Sequence, residues 1–340
     1  MSVLTRPSLL LATATAAAAA LTGGLIVAPG AAWAADTTTN LTAAEMRTAL
    51  RAIGTASTKA GAGGWGAVTV FTVSPGVGGS STVRDTVAVD PVHGLFSQVT
   101  SVSGLGTEGL FAAEGKGAWA QADSLELQAL KMMGKPSVKY VFTADKKLKL
   151  ATIVRDNAPD PATLYEYYSQ PGTKTVHDDG TISYQVVEKQ SKLTVVMTAT
   201  ASSALISVGM SNPDESLTGT VSYEYEAQTV DVPAASASID AASVDKGVAY
   251  LTMTATVKDA AQQGATNTRR VTKGRTVKVA TLRTQVRKEV AAANRYTGFA
   301  LVKTKNVTGG VRVYATNPWT KKSVTYSVKA SGRKVVVKRL

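Results

Sequence analysis

Thr218-Gly219-Thr220-Val221-Ser222-Tyr223-Glu224-Tyr225-Glu226 alternates without a break over its second half. Val221, Tyr223 and Tyr225 fall on one side of an extended chain, and Ser222, Glu224 and Glu226 on the other. Successive strand side chains point to opposite faces, so a strand from Thr218 to Val232 with one dry and one wet face is expected. The same period of two runs upstream through Trp65 to Val73, Thr82 to Val89, Gly94 to Ser103, Gly109 to Ala113 and Gly117 to Ala122. It continues through Leu148 to Val154, Thr181 to Glu188, Lys192 to Ala199 and Leu205 to Met210. Short connections bearing Gly, Asn and Asp favour antiparallel meanders over crossovers.

Three helices interrupt this pattern. In Leu41-Thr42-Ala43-Ala44-Glu45-Met46, Thr42 and Glu45 form a capping box and Leu41 and Met46 are placed to staple across it. Met46, Leu50, Ile53 and Ala60 then share one face with the small polar Ser57, and that face should lie on a sheet. A second helix starts at Asp123 or Ser124 and ends before Gly134 and Pro136. A third has Asp160 as cap, Pro161 at its first position, and runs to Ser169. Many antiparallel strands with helices laid over them make an α+β arrangement.

The first 34 residues read differently. Arg6 precedes an apolar, Ala-rich stretch from Leu9 to Val27, and Ala32-Trp33-Ala34 has the small-x-small form of a signal-peptidase site. A cleaved signal peptide at 1–34 is the expectation, with a retained membrane anchor as the alternative, since about 20 apolar residues can span a bilayer. The 340-residue chain contains no cysteine, which excludes disulfides, thiolate metal sites and a cysteine-borne lipid anchor.

Charge is divided unequally along the chain. Ala35 to Asp240 carries 15 Lys and Arg against 21 Asp and Glu, a net of −6, whereas Ala241 to Leu340 carries 21 against three, a net of +18. A difference of that size argues for two domains. The small, polar run from Pro233 to Ser243 reads as a linker. Beyond it, Ala249 to Val257 and Val277 to Ala280 flank a basic loop, and Val279, Leu282, Val286, Val290 and Ala293 line one helical face. Strands are then expected at Phe299 to Thr304, Val311 to Ala315, Val324 to Val328 and Val335 to Val337. The expected division is 1–34 signal peptide, 35–235 strand-rich domain, 236–247 linker and 248–340 basic domain.

Motifs for chemistry are sparse. Gly61, Gly63 and Gly66 fit GxGxxG but leave a helix and enter a strand, the reverse of a dinucleotide loop. His177-Asp178-Asp179-Gly180 has ligands for a metal, yet Asp-Gly between two alternating runs is a hairpin turn. His93 lies in a turn sequence. No catalytic, cofactor or metal site is expected. Arg269, Arg270, Lys273, Arg275 and Lys278, with Lys321, Lys322, Arg333 and Lys334, concentrate positive charge that attracts polyanions. Anionic lipid or cell-wall polymer is the expected partner, and nucleic acid is not, because no RNA or DNA motif is readable. An ordinary solvated basic surface is the alternative.

On these residues, the segment from Leu41 to Pro233 resembles the LolA-like superfamily, and within it the actinobacterial lipid-binding lipoproteins of the LprG and LppX type. The resemblance rests on the order of the opening helix Leu41 to Ala60, a strand pair, the Gly115 to Gln121 strand, the helix entered at Asp160-Pro161 with Leu164, Gly180 to Tyr184, and the closing Tyr223-Glu224-Tyr225 with Val230 to Pro233. It implies a curved, half-open, barrel-like antiparallel sheet with three helices on its concave side, followed here by a small basic α+β domain without counterpart in the family. It further implies a cavity for a lipid or other hydrophobic ligand, with Met46, Leu50, Val70, Phe96, Leu110, Trp119, Leu127, Met132, Leu164 and Tyr165 as lining candidates. The alternative for each is plain core. The expectation is a secreted, envelope-associated, non-catalytic binding protein, or else a structural or adhesion protein with no cargo cavity.

Overall fold

The computed structural model describes residues 36–73, 80–212 and 217–340, so the expected signal peptide lies outside the described residues. In chain order the elements are β1 (Thr37–Leu41), α1 (Ala43–Ala60), β2 (Trp65–Val73), β3 (Ser81–Asp90), β4 (Leu95–Val102), β5 (Gly106–Ala113), β6 (Gly117–Gln121), α2 (Ser124–Met132), β7 (Tyr140–Ala144), α3 (Leu150–Asn157), α4 (Leu164–Tyr167), β8 (Gly172–Val176), β9 (Ile182–Val187), β10 (Thr194–Ala199), β11 (Leu205–Asn212) and β12 (Leu217–Glu224). There follow β13 (Ser238–Asp240), α5 (Ala241–Leu251), α6 (Met253–Thr272), α7 (Val279–Thr297), β14 (Lys303–Val307), β15 (Gly310–Thr316), β16 (Ser323–Ser331) and β17 (Lys334–Arg339). The fold is mixed α+β, built on a large, mostly antiparallel and unclosed sheet. The chain divides into two compact units: residues up to Ala120 with Thr143–Pro233, and Gln121–Phe142 with Ala234–Leu340.

In unit 1 the strands run in the order β1-β8-β9-β10-β11-β12-β2-β3-β4-β5-β6. Two meanders, β2 to β6 and β8 to β12, meet where β12 pairs with β2, Val221 opposite Thr69. Helix α1 begins at the capping box read from the sequence: the Thr42 hydroxyl accepts from Glu45 N–H while Glu45 Oε2 accepts from Thr42 N–H at 2.8 Å. Its apolar face, Met46, Leu50 and Ile53, is buried against Phe96, Tyr184, Val186, Met197 and Leu205 of the sheet. Ser57 on that face has a specific task. The β10–β11 register slips at Thr198/Ala199, and the buried Ser57 hydroxyl accepts the Leu205 N–H at 2.9 Å beside that irregularity, which an apolar residue would leave without a partner.

Three expectations fail in unit 1. The strand expected from Thr218 to Val232 ends at Glu224. Leu148 to Val154 is not a strand: its latter part opens helix α3, where Ile153 and Val154 are buried. A short apolar run carries both periods, and here the adjacent pair at 153 and 154 goes with the helical one. The helix expected from Pro161 to Ser169 is a 3-10 turn, Pro161–Thr163, followed by the single turn α4. Asp160 does cap it, accepting from Ala162 N–H at 2.9 Å. That turn lies so close to α1 that a Cβ on Gly54 would meet the Ala162 carbonyl oxygen at 3.0 Å.

Unit 2 takes in a segment read as part of the first domain. Helix α2, capped by Asp123 and Glu126 reciprocally, and most of β7 belong to it. The expected linker is structured: β13 pairs in parallel with β7, Ile239 opposite Val141, and Asp240 caps α5 by accepting from Ser243 N–H. Ile239 and Val244 bury themselves among Leu130, Val138 and Val141, a small core that two sequence-distant pieces complete together. The rest is α6 and α7 over the antiparallel sheet β14-β15-β16-β17. Leu282, Val286 and Val290 of α7 face Val311, Val313, Tyr326 and Val328. The strand expected at Phe299 starts later, because the Asn294 side chain holds both Val302 N–H and C=O and fixes that residue before β14 begins.

Candidate functional site

A cavity was expected between the inner face of the unit 1 sheet and its helices, and five of the candidates do not line one. Met46, Leu50 and Phe96 are 0% exposed and form the middle of the packed core. Val70 is on the other face, since its register neighbours are Thr220 and Arg84 while Thr69 is turned inward. Trp119 is likewise on the outer side, opposite Phe111, with Ala118 and Ala112 inward. Leu110 is half-buried against the core. Leu127 is exposed and Met132 half-buried, both on α2 in unit 2, where Asn317 Nδ2 approaches Met132 Sδ at 2.9 Å. The side chains of Leu164 and Tyr165 lie outside the described residues.

Unit 1 has a hollow beside α1 and another against β9 and β10. One, of about 430 Å³, is an open groove lined by Leu41, Ala44, Thr48, Ala49, Lys174 and Tyr184. The other, of about 230 Å³, lies among Tyr168, Gln170, Val186, Leu193 and Val195. The tyrosines of this side are held neutral: burial raises Tyr168, Tyr184, Tyr223 and Tyr225 above the usual phenol range. Tyr223 donates to the Pro159 carbonyl at 2.9 Å.

The histidines are fastened into structure. Asp90 accepts from His93 N–H at 3.0 Å and sits 2.7 Å from its Nδ1. Burial raises the Asp90 carboxyl, but these contacts outweigh it and leave the group below its ordinary value. His177 closes the β8–β9 hairpin as expected, with His177 N–H donating to Thr181 and Gly180 in the left-handed region at φ 81°. Asp179 accepts from the Thr181 hydroxyl and N–H, which lower its carboxyl. No three His, Asp or Glu among the described residues are grouped to hold a metal ion.

His177 also joins Asp36 to Ser183, an arrangement the sequence did not reveal. Nδ1 is 2.9 Å from Asp36 Oδ2, and Nε2 is 2.8 Å from Ser183 Oγ. Carboxylate, imidazole and hydroxyl stand in the order of a nucleophilic triad. Its setting is otherwise. Ser183 is mid-strand, paired with Thr175 on one side and Thr198 on the other, so the nearby backbone N–H groups belong to the ladder and are not available to hold an oxyanion. It stands in a row of outward hydroxyls, Thr38, Thr175, Ser183, Thr198, Ser207 and Ser222, in register across six strands. The relay therefore ties β1 to the hairpin.

The basic residues are divided by the fold. Arg269 and Arg270 are in the last turn of α6 and not in a loop; Lys273 follows in the left-handed region, and Lys278 is the N-cap position of α7. Val277 N–H donates to Gly332 O at 2.9 Å, which brings Arg275 and Lys278 to the turn bearing Arg333 and Lys334. Lys321 and Lys322 lie at the other end of β16, about 26 Å away at ~3.3 Å per residue. Lys321 there donates to Pro318 O. Lys303, Lys305, Arg312, Lys329, Lys334 and Lys338 instead share the outer face of the sheet, alternating with core residues Val311, Val313, Val328 and Val335. That alternation is written in the sequence, but a charge balance taken by segment hides it, because it is a property of a face.

No protein-family model matches the chain, and no curated protein matches it. A crystal structure of an uncharacterized conserved protein from Thermus thermophilus is similar to it at a TM-score of 0.30 and 9% identity, over 55% of this chain and 96% of that one.

Proposed function

We propose that the protein is an exported, non-catalytic component of the cell envelope whose unit 2 holds it on anionic lipid or wall polymer. The observation that carries this reading is charge: unit 2 contains 24 Lys and Arg against six Asp and Glu, and no acidic residue follows Glu289. Such a surface attracts polyanions at long range and releases them as salt rises. Export rests on the sequence of residues 1–34. In this reading the packed inner face of unit 1 makes it a rigid scaffold. The test is co-sedimentation of the purified protein with isolated cell-wall material and with anionic vesicles between about 50 and 500 mM salt. Binding should weaken steeply and linearly on a log–log scale, and a salt-independent or absent interaction refutes the proposal.

The 430 Å³ groove beside α1 favours a second reading, because pockets for small ligands run from about 300 to 1,000 Å³. In it the LolA-like resemblance extends to function, the sheet of unit 1 is the curved half-open one, and an acyl chain enters along Ala49 and Tyr184. Protein purified from its native host and extracted for mass spectrometry should then release lipid; lipid-free protein that takes up no fluorescent acyl probe removes this reading.

A further inference from the structure

The outer face of the β14–β17 sheet carries a charge arrangement that folding does not favour. Lys305 on β14 and Arg312 on β15 are directly opposite in register, and on the same line Arg312 is followed by Ser327 of β16 and Lys338 of β17. Lys303, Lys329 and Lys334 complete the face, and all six cations are exposed. None forms an ion pair among the described residues, and no acidic residue occurs anywhere from Val290 to Leu340. Like charges opposite each other on adjacent strands destabilise a sheet.

Guarding sheet edges is the ordinary use of strand lysines, and it accounts for Lys303 and Lys305 on β14 and for Lys334 and Lys338 on β17. It does not account for Arg312 and Lys329, which are on the two inner strands. Other arginines of the unit are used for structure: Arg283 donates to the Gly310 and Val307 carbonyls and Arg287 to Asn306 Oδ1, fastening α7 to the β14–β15 hairpin. The face cations have no such bond among the described residues. Between them stand Tyr314, Thr325 and the covered Ser327, with Val336 as the one large exposed apolar side chain. A bilayer-binding face presents apolar anchors as well as charge. This one presents charge and hydroxyls.

We infer that this face binds a linear phosphate-bearing polymer laid across the strands, along the line Lys305, Arg312, Ser327, Lys338. The inference rests on the proposed attachment role of unit 2 and gives it a place and a ligand chemistry. Strands are about 4.8 Å apart, so the line presents cations over about 14 Å, a length that spans several phosphates and that a single free phosphate does not exploit.

The test compares K305Q/R312Q with R269Q/R270Q, which removes the same charge from the end of α6. Inorganic polyphosphate is the probe, with phosphatidylglycerol vesicles and a single-stranded nucleic acid homopolymer as further arms, titrated at several salt concentrations. K305Q/R312Q should weaken polyphosphate binding about tenfold and reduce the salt slope by about 1.4, near 0.7 per lost contact, while melting no lower than the parent. R269Q/R270Q should change affinity less than about threefold. Equal losses in both variants mean bulk charge and overturn the face; so does binding of vesicles without binding of polyphosphate, or preference for the nucleic acid. If the parent protein binds none of the three probes, the attachment role itself fails. If it binds and K305Q/R312Q does not weaken it, only the face is wrong.

Discussion

Each unit has a sheet with one side packed under helices and one side bare, and the two bare sides solve the same problem differently. Across β1 and β8 to β12 the outer side chains are largely neutral hydroxyls that bond one another, as Thr38 does with Thr175 and Ser183 with Thr198 and His177. Across β14 to β17 six of them are exposed cations with no acidic residue beside them, and Lys305 stands directly opposite Arg312. The first surface is satisfied by the protein; the second is satisfied only by counter-ions. A face that a fold completes by itself is a poor place to look for a partner, and a face that it leaves charged and uncompensated is a good one.

The largest expected effect tests whether the two units stand apart. Phe96→Ala should destabilise unit 1 by about 3–5 kcal/mol while polyphosphate binding survives in the folded protein; the loss is read by urea unfolding with Trp65 and Trp119 as reporters, against Trp319 for unit 2. A joint loss of both signals at one midpoint breaks the comparison. Gly264→Ala should do the reverse, lowering unit 2 by about 1–3 kcal/mol, since the added Cβ would meet Val286 Cγ2 at 2.7 Å between α6 and α7.

Next in size is an alkaline effect confined to unit 1. Burial raises Tyr223 above the ordinary value near 10. The folded state therefore keeps that proton longer than the unfolded one, and its contribution is complete below about pH 10 and lost as pH rises beyond it. Unfolding midpoints across about pH 8–11 should fall for the parent and fall less for Tyr223→Phe. His177→Ala should cost about 1 kcal/mol by releasing Asp36 and Ser183, visible as faster hydrogen exchange in β1. The smallest effect has the opposite sign: Lys305→Gln should stabilise unit 2 by about 0.5 kcal/mol or less at low salt and by nothing at about 1 M, where the repulsion is screened. A destabilised Lys305→Gln would show that the cation serves the fold.

Much of unit 1 was legible because it is written in local code. The box at Thr42 and Glu45, the cap at Asp160 and the alternation of Val221, Ser222, Tyr223 and Glu224 each specify one element within a few residues. The larger misreadings are non-local. Residues 233–243 look like a linker because Ala and Ser dominate them, yet Ile239 and Val244 are buried by residues about a hundred positions earlier. The cavity reading carried faces over from a resemblance, and the register of β2 and β6 turned Val70 and Trp119 to the other side. The His177 relay needed Asp36 and Ser183 to meet across 141 and six positions, which no spacing rule anticipates.

That early segment has a consequence for synthesis. Leu130, Val138 and Val141 find their partners only when Ile239 and Val244 have been made, about a hundred residues later, a delay of roughly 5–20 s at ordinary elongation rates. Until then a greasy excursion hangs from a domain that can otherwise close, so a nascent chain released at Pro233 should be a client for chaperones rather than a finished half.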